Sequence, residues 1–260
     1  MIEEIRAYYD RYDEDGRLLL RHGQVEYLTT MRYVEKHLFP GARVLEIGAG
    51  TGRYSHAVAR ADYRVDAVEL VPKNIDIFRE NTQPGEDVSI RQGDARDLSF
   101  LPDGAYDLTL LLGPMYHLFT EADKLRALSE ALRVTRSGGV LMVAYCAADA
   151  SVLQYGFIKG NIQRLIEIGL VDPETFRASS RPEDVFELHR KEDIDRLMAG
   201  FPTERLHFVA TDLYTNHMRE AVDAMDDETF ALYLRYHLSV CERADMVGLT
   251  NHILDIHRKW

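Results

Sequence analysis

The run Val44-Leu45-Glu46-Ile47-Gly48-Ala49-Gly50-Thr51-Gly52 decides how the rest of the chain reads. An apolar strand enters G-x-G-x-G, and a helical pattern from about Thr51 to Arg60 follows at once. Glycines permit positive φ and leave no Cβ between a ligand and the main chain. The helix start behind them offers backbone N–H groups. Spacing then narrows the ligand. A dinucleotide fingerprint needs its third glycine at position 53, where Arg53 stands; here it is Gly52. Glu46 also places a carboxylate just before the turn, which opposes a diphosphate and suits a ligand carrying a cationic group.

Working outward, short apolar runs alternate with amphipathic helices. Strands are expected at Arg64–Val68, Val88–Arg91, Tyr106–Leu112 and Val140–Ala144, with Pro72–Asn81 as a helix and Ser137-Gly138-Gly139 as a turn. Leu125, Leu128 and Leu132 mark one face of another helix. Such alternation means βαβ units and a parallel sheet covered on both faces. Upstream, Ile2, Ile5, Tyr9 and Tyr12 share a helical face, Asp13-Glu14-Asp15-Gly16 interrupts, and a second helix runs from about Val25 to Leu38 before Pro40-Gly41. Downstream, 147–181 reads as a polar, mostly helical insertion. A helix near Lys191–Met198 and a strand near Leu206–Thr211 follow it. Then come helical stripes through Met218, Ala221, Val222 and Met225 and through Phe230, Tyr233, Leu234, His237 and Cys241. A strand at Asn251–Arg258 closes the chain.

Two further acids complete the pattern. Glu69 ends the second strand 21 residues beyond Gly48, the position from which a carboxylate accepts both ribose hydroxyls. Leu70 is placed to cover one face of an adenine. After the third strand, Asp94 is placed to accept from an adenine amino group while the Ala95 amide donates to a ring nitrogen. All three acids fall at strand C-termini, where open α/β sheets bind ligands.

These residues resemble the class I S-adenosylmethionine-dependent methyltransferases over roughly Arg43 to Tyr145. The resemblance implies a Rossmann-like α/β fold. Its seven-stranded sheet is mostly parallel with an antiparallel last strand, has helices on both faces and carries helical cap insertions. It implies S-adenosylmethionine as cofactor. Glu46, Gly48, Ala49, Gly50 and Gly52 would lie around its methionine part, Glu69 on the ribose, and Leu70, Asp94 and Ala95 on the adenine. The backbone of Leu112 and Gly113 would face its amino group. The run from Leu111 to Leu118 also looks like superfamily members acting on small molecules, with methyl transfer to an N or O atom. His117 follows the fourth strand and is either a base for the acceptor or a group that positions Tyr116 and substrate. Tyr8, Tyr9 and Tyr12 either pack the first helix or close as a lid. Arg17, Arg21 and Arg53 are candidates for the cofactor's carboxylate.

The expected segments are 1–40 (helical lid), 41–145 (cofactor-binding core), 146–200 (helical insertion), 201–215 (return to the sheet), 216–248 (helical cap) and 249–260 (final strand). The 260 residues, 46% hydrophobic and 28% charged, have the composition of an ordinary globular protein and exclude disordered or collagenous classes. A net charge of −12 disfavours a nucleic-acid partner. Cys146 and Cys241 make no disulfide framework. His237, Cys241, Glu242 and His252 match no metal-ligand spacing, so no metal is expected. The acidic start and the short apolar runs lead us to expect a cytoplasmic protein without a membrane segment, as a monomer or homodimer. Three other activities compete: methylation of tRNA or protein, cofactor binding without catalysis, and a nicotinamide oxidoreductase, which Arg53 and Glu46 oppose.

Overall fold

The computed structural model describes residues 2–12 and 15–260; Asp13 and Glu14 of the expected break lie outside the described residues. In chain order the elements begin with α1 (Ile2–Tyr9), α2 (Arg21–His37), β1 (Arg43–Ile47), α3 (Arg53–Arg60) and β2 (Arg64–Glu69). Then come α4 (Pro72–Asn81), β3 (Val88–Gln92), β4 (Tyr106–Leu111), α5 (Glu121–Val134) and β5 (Thr135–Ala147). The last part holds α6 (Ala148–Ser151), α7 (Ile162–Glu167), β6 (Leu188–His189), α8 (Lys191–Met198) and β7 (Thr203–Ala210). It ends with α9 (Arg219–Asp223), α10 (Asp227–Val240) and β8 (His252–Lys259).

The strands form one sheet in the order β3-β2-β1-β4-β5-β8-β7. β8 runs antiparallel to both neighbours, and every other pairing is parallel, as the fold expectation required. The two-residue β6 adds an eighth strand beside the end of β5. The order reverses between β1 and β4, so their C-terminal ends open the crevice that α/β sheets use for ligands.

Local chemistry explains the boundaries. Pro72 opens α4, where a missing N–H costs nothing. Thr120 caps α5 by accepting from the Asp123 amide, and Asp226 caps α10 by accepting from Thr229. The central strands are buried on both faces: Leu108, Leu110 and Leu111 of β4 and Leu141, Met142 and Val143 of β5 have no exposed surface. Truncating one such leucine to alanine costs about 2–5 kcal/mol.

Three expectations need correcting. Ser137-Gly138-Gly139 is not a separate turn: β5 already pairs with β4 at Thr135, and the register shifts between Tyr106 and Leu108 absorb the irregularity. The insertion is helical only to Glu167. A left-handed Gly169 ends α7, and the chain is irregular from there to β6 except for a short 3-10 turn at Pro182–Asp184. The Met218–Met225 stripe is a 3-10 segment followed by the five-residue α9. Val222 alone of it is fully buried, against Val25 and Phe230. The stripe through Phe230, His237 and Cys241 is the inner side of α10 and its cap. No described helix is long and apolar enough to cross a membrane.

Candidate active site

A cavity of about 430 Å³ opens over the C-terminal ends of the strands. One end is walled by Gly48, Gly50, Glu69, Leu70, Asp94 and Ala95, and the other by Tyr9, Tyr116, His117, Phe186 and His252, with Leu112 and Gly113 between. The structure therefore brings together most of the residues marked in the sequence. Ala49, Gly52 and Glu46 are not among the lining residues.

The glycine turn is closed on itself. Gly48 and Ala49 donate their amides to the Val68 carbonyl, and Gly52 donates to Ala49. The Gly50 amide donates to Glu69 Oε2 at 2.9 Å. Gly48 is left-handed at φ +78°, and a Cβ there would meet Pro114 Cδ at 2.5 Å. Gly52, at φ +91°, packs against Phe78 and His56, so it serves the seat of α3 and not the ligand.

Glu46 is the main correction at the site. Its carboxyl turns under the turn toward α3, where Oε2 accepts from the Ser55 amide at 3.0 Å and from the Ser55 hydroxyl. It is 1% exposed, and burial pushes its pKa up to about 8. Glu46 thus occupies the Ser55 amide in the first turn of α3, and the amides of Gly48, Ala49, Gly50 and Gly52 are used internally. The expected carboxylate facing the ligand is therefore not there: Glu46 is bonded to Ser55 at the start of α3.

Glu69 lines the cavity and also ties two elements together. Besides Gly50, it accepts from the Val71 amide at 2.9 Å, which fixes the entry to α4. Asp94 lines the cavity with its carboxylate held by the Arg96 amide, Nε and Nη2, and this guanidinium holds the Asp94 carboxyl below its ordinary range. Arg96, which no motif in the sequence singles out, lines the cavity and also reaches Asp123. Of the three candidate arginines only Arg17 lines the cavity. Arg21 pairs with Asp227, and Arg53 donates to the Asp15 carbonyl.

At the opposite end, His117 is 8% exposed. Its Nδ1 lies 2.8 Å from the Val185 carbonyl, which can only accept, so Nδ1 carries the proton and Nε2 is the basic nitrogen. Burial lowers its pKa, which keeps the ring neutral at pH 7. Nε2 takes the Tyr9 hydroxyl at 3.1 Å. Tyr8, Tyr9 and Tyr12 all line the cavity, and Tyr8 meets Phe186 edge to face at 5.3 Å. Lys73 Nζ holds the carbonyls of Tyr9 and Asp10, joining α1 to the cofactor side.

A second polar cluster lies deeper. His252 Nδ1 sits 2.8 Å from Asp212 and 3.3 Å from Glu26, and Glu26 also takes Arg17 at 2.8 Å. The three groups have metal-ligand chemistry, with donor atoms within 4.8 Å of one another. Two carboxylates on one ring nitrogen raise the His252 pKa well above its ordinary value, and Arg17 supplies a second cation. The cluster thus balances its own charge. His237, Cys241 and Glu242 lie elsewhere: Glu242 takes Tyr33 and His207, and His237 is buried in the cap.

Comparison with known proteins agrees with this geometry. A family model described as a methyltransferase domain matches residues 44–139. A demethylmenaquinone methyltransferase of Beutenbergia cavernae is 36% identical over 107 residues, which are 40% of this chain and 41% of that protein. A ubiquinone biosynthesis O-methyltransferase of Xanthomonas campestris pv. campestris is 28% identical over 106 residues, 40% and 43% of the two chains. The chain thus aligns with less than half the length of these relatives. Among solved structures, a Thermotoga maritima SAM-dependent methyltransferase, described as a possible histamine N-methyltransferase, is similar over 100% of both chains. Its TM-score is 0.59 at 19% identity. A Pyrococcus horikoshii protein covers 98% of this chain and 99% of its own, with TM-score 0.61 at 15% identity. At such identities these likenesses concern the fold. Residues 44–139 are a methyltransferase domain. Its strand order and glycine turn are those that the class I resemblance implies.

Proposed function

We propose that the protein transfers the methyl group of S-adenosylmethionine to an O–H or N–H group of a small molecule. The carrying observation is the shared cavity: a nucleoside-type end with Glu69 and Asp94 is continuous with an aromatic end holding His117. Its volume lies within the usual small-molecule range.

The residues fit the cofactor on this chain's own geometry. Glu69 lines the cavity as the group for a ribose diol, Leu70 and Ala95 line it as the groups for an adenine, and Arg17, one of three lining arginines, is the candidate for the carboxylate. When bound, S-adenosylmethionine supplies a methyl carbon made electrophilic by its sulfonium. What the protein does is hold the acceptor in line and keep water out. Tyr8, Tyr9, Tyr12 and Phe186 form an aromatic cover over the cavity, which is the lid reading of the first segment. His117 Nε2 is oriented by the Val185 carbonyl and stays neutral through burial, so it removes the acceptor's proton. Tyr9 stands on the same nitrogen and relays that proton or yields its place to the acceptor. Tyr116 lines the same end and orients the acceptor.

The test is a turnover screen that follows the demethylated product, S-adenosylhomocysteine, against phenol and amine acceptors, with His117→Asn in parallel. Turnover reduced roughly 10²–10⁴-fold in the variant, with cofactor affinity kept, is expected of a base. Full activity in His117→Asn removes His117 from this role. Cofactor binding with no turnover on any acceptor removes the enzymatic reading.

A further inference from the structure

The chemistry of the acceptor is written in an arc of hydrogen bonds along the aromatic end of the cavity. Arg219 Nε donates to Asn216 Oδ1 at 2.8 Å, Asn216 Nδ2 donates to Asp212, Asp212 holds His252, His252 meets Glu26, and Glu26 in turn takes Arg17. All of these line the cavity except Asp212.

The charges along this arc are not presented equally. Asp212 is 1% exposed and stands behind the wall. Its oxygens are taken by Asn216, Thr250, His252 and the Asn251 amide. Glu26 Oε2 already accepts from Arg17 and faces His252. Of the cationic members, Arg219 keeps its terminal amines to spare. Arg219 is exposed and uses only Nε, and no carboxylate pairs with it among the described residues. The nearby Asp223 is hydrogen-bonded by the His22 amide and ring and acts on Arg219 only through space, not as an ion pair. His252 meets the two carboxylates through Nδ1, and its ring is also hydrogen-bonded by Cys146. Arg219 is thus the member of the arc with donors to offer, whereas Asp212 stands behind the wall and Glu26 is shared between Arg17 and His252. A cofactor sulfonium adds a further positive charge nearby, and like charges in a partly buried site repel strongly. The remaining surface, from Tyr9, Tyr116 and Phe186, is aromatic.

We propose that this end selects a compact aromatic hydroxy acid, with Arg219 holding the acceptor's carboxylate and excluding cationic amines. The inference rests on the methyl-transfer reading and names its substrate class. Arg219 acts as a specificity residue; its fork of two terminal amines matches a carboxylate in a bidentate pair.

Three catechols that differ only in the side group provide the probe: 3,4-dihydroxybenzoate, catechol and dopamine. Binding to protein saturated with S-adenosylhomocysteine is measured by calorimetry, and methylation with S-adenosylmethionine by product release. The acid is expected to bind roughly tenfold or more tighter than catechol, as one charge-assisted pair implies, and dopamine weakest. Arg219→Gln is expected to erase the gap between acid and catechol; because the residue is exposed, the variant folds, which its melting curve checks. Dopamine binding as tightly as the acid overturns the proposal. So does a gap unchanged in Arg219→Gln, or binding of none of the three while S-adenosylhomocysteine binds. Failure of S-adenosylhomocysteine itself to bind brings down the cofactor reading instead, and this inference with it.

Discussion

Gly48→Ala probes the contact that couples the two ends of the cavity. Gly48 sits at φ +78°, and an alanine forced into that region costs about 1–2 kcal/mol. The added Cβ would stand 2.5 Å from Pro114 Cδ and 3.0 Å from Cγ. Ordinary carbon contacts lie at roughly 3.5–4.0 Å, so Pro114 must retreat by about 1 Å. Overpacking of that kind adds about 1–3 kcal/mol. The expected total of about 2–5 kcal/mol lowers the melting temperature by roughly 4–10 °C in a chain of this size. Pro114 begins the short 3-10 turn that ends at Tyr116, and the His117 amide caps it on the Pro114 carbonyl. The displacement therefore reaches His117, and a 1 Å error at a reacting group costs up to about 100-fold in rate. Gly41→Ala is the control, since Gly41 has φ +82° and no atom lies within 4 Å of where its new methyl would stand. It carries the backbone cost alone. Thermal melts and turnover of both variants separate the two contributions. If Gly48→Ala melts and turns over like Gly41→Ala, the Pro114 coupling is wrong.

Three more outcomes are expected. Glu69→Ala weakens S-adenosylhomocysteine binding by about 1–3 kcal/mol, read by calorimetry; wild-type affinity in a folded variant would reject the ribose assignment. The lowered pKa of His117 places the acid limb of kcat/KM below about pH 6.5, so activity rises with pH through that limb and His117→Asn loses it. An acid limb shared by wild type and variant assigns the titration elsewhere. Glu46 titrates near 8 when folded against an ordinary 4.5, so the folded state holds the extra proton and stability falls as pH rises between those values. Glu46→Gln removes that slope in urea melts from about pH 5 to 8, and an undiminished slope contradicts the assignment.

Most of the sheet was legible because buried parallel strands are short apolar runs and their helices keep a 3.6 period. Glu69 and Asp94 were legible because they occupy strand ends at fixed distances from the glycine turn. Glu46 misled because spacing places a carboxyl at a strand end without saying which layer it faces; here it faces α3 and Ser55. The Glu26–His252–Asp212 cluster was hidden for another reason. Its members come from α2, the chain after β7 and the start of β8, and only the antiparallel insertion of β8 between β5 and β7 joins them. Phe186 and Val185, which wall and orient His117, come from an irregular stretch with no periodicity to read.

Titrating the intact protein with S-adenosylhomocysteine, with NAD as the comparison, tests most directly whether the cavity takes an adenosine with an amino-acid tail. Saturable one-to-one heat with the former and none with the latter is the expected result. Heat from NAD alone, or from neither, contradicts it.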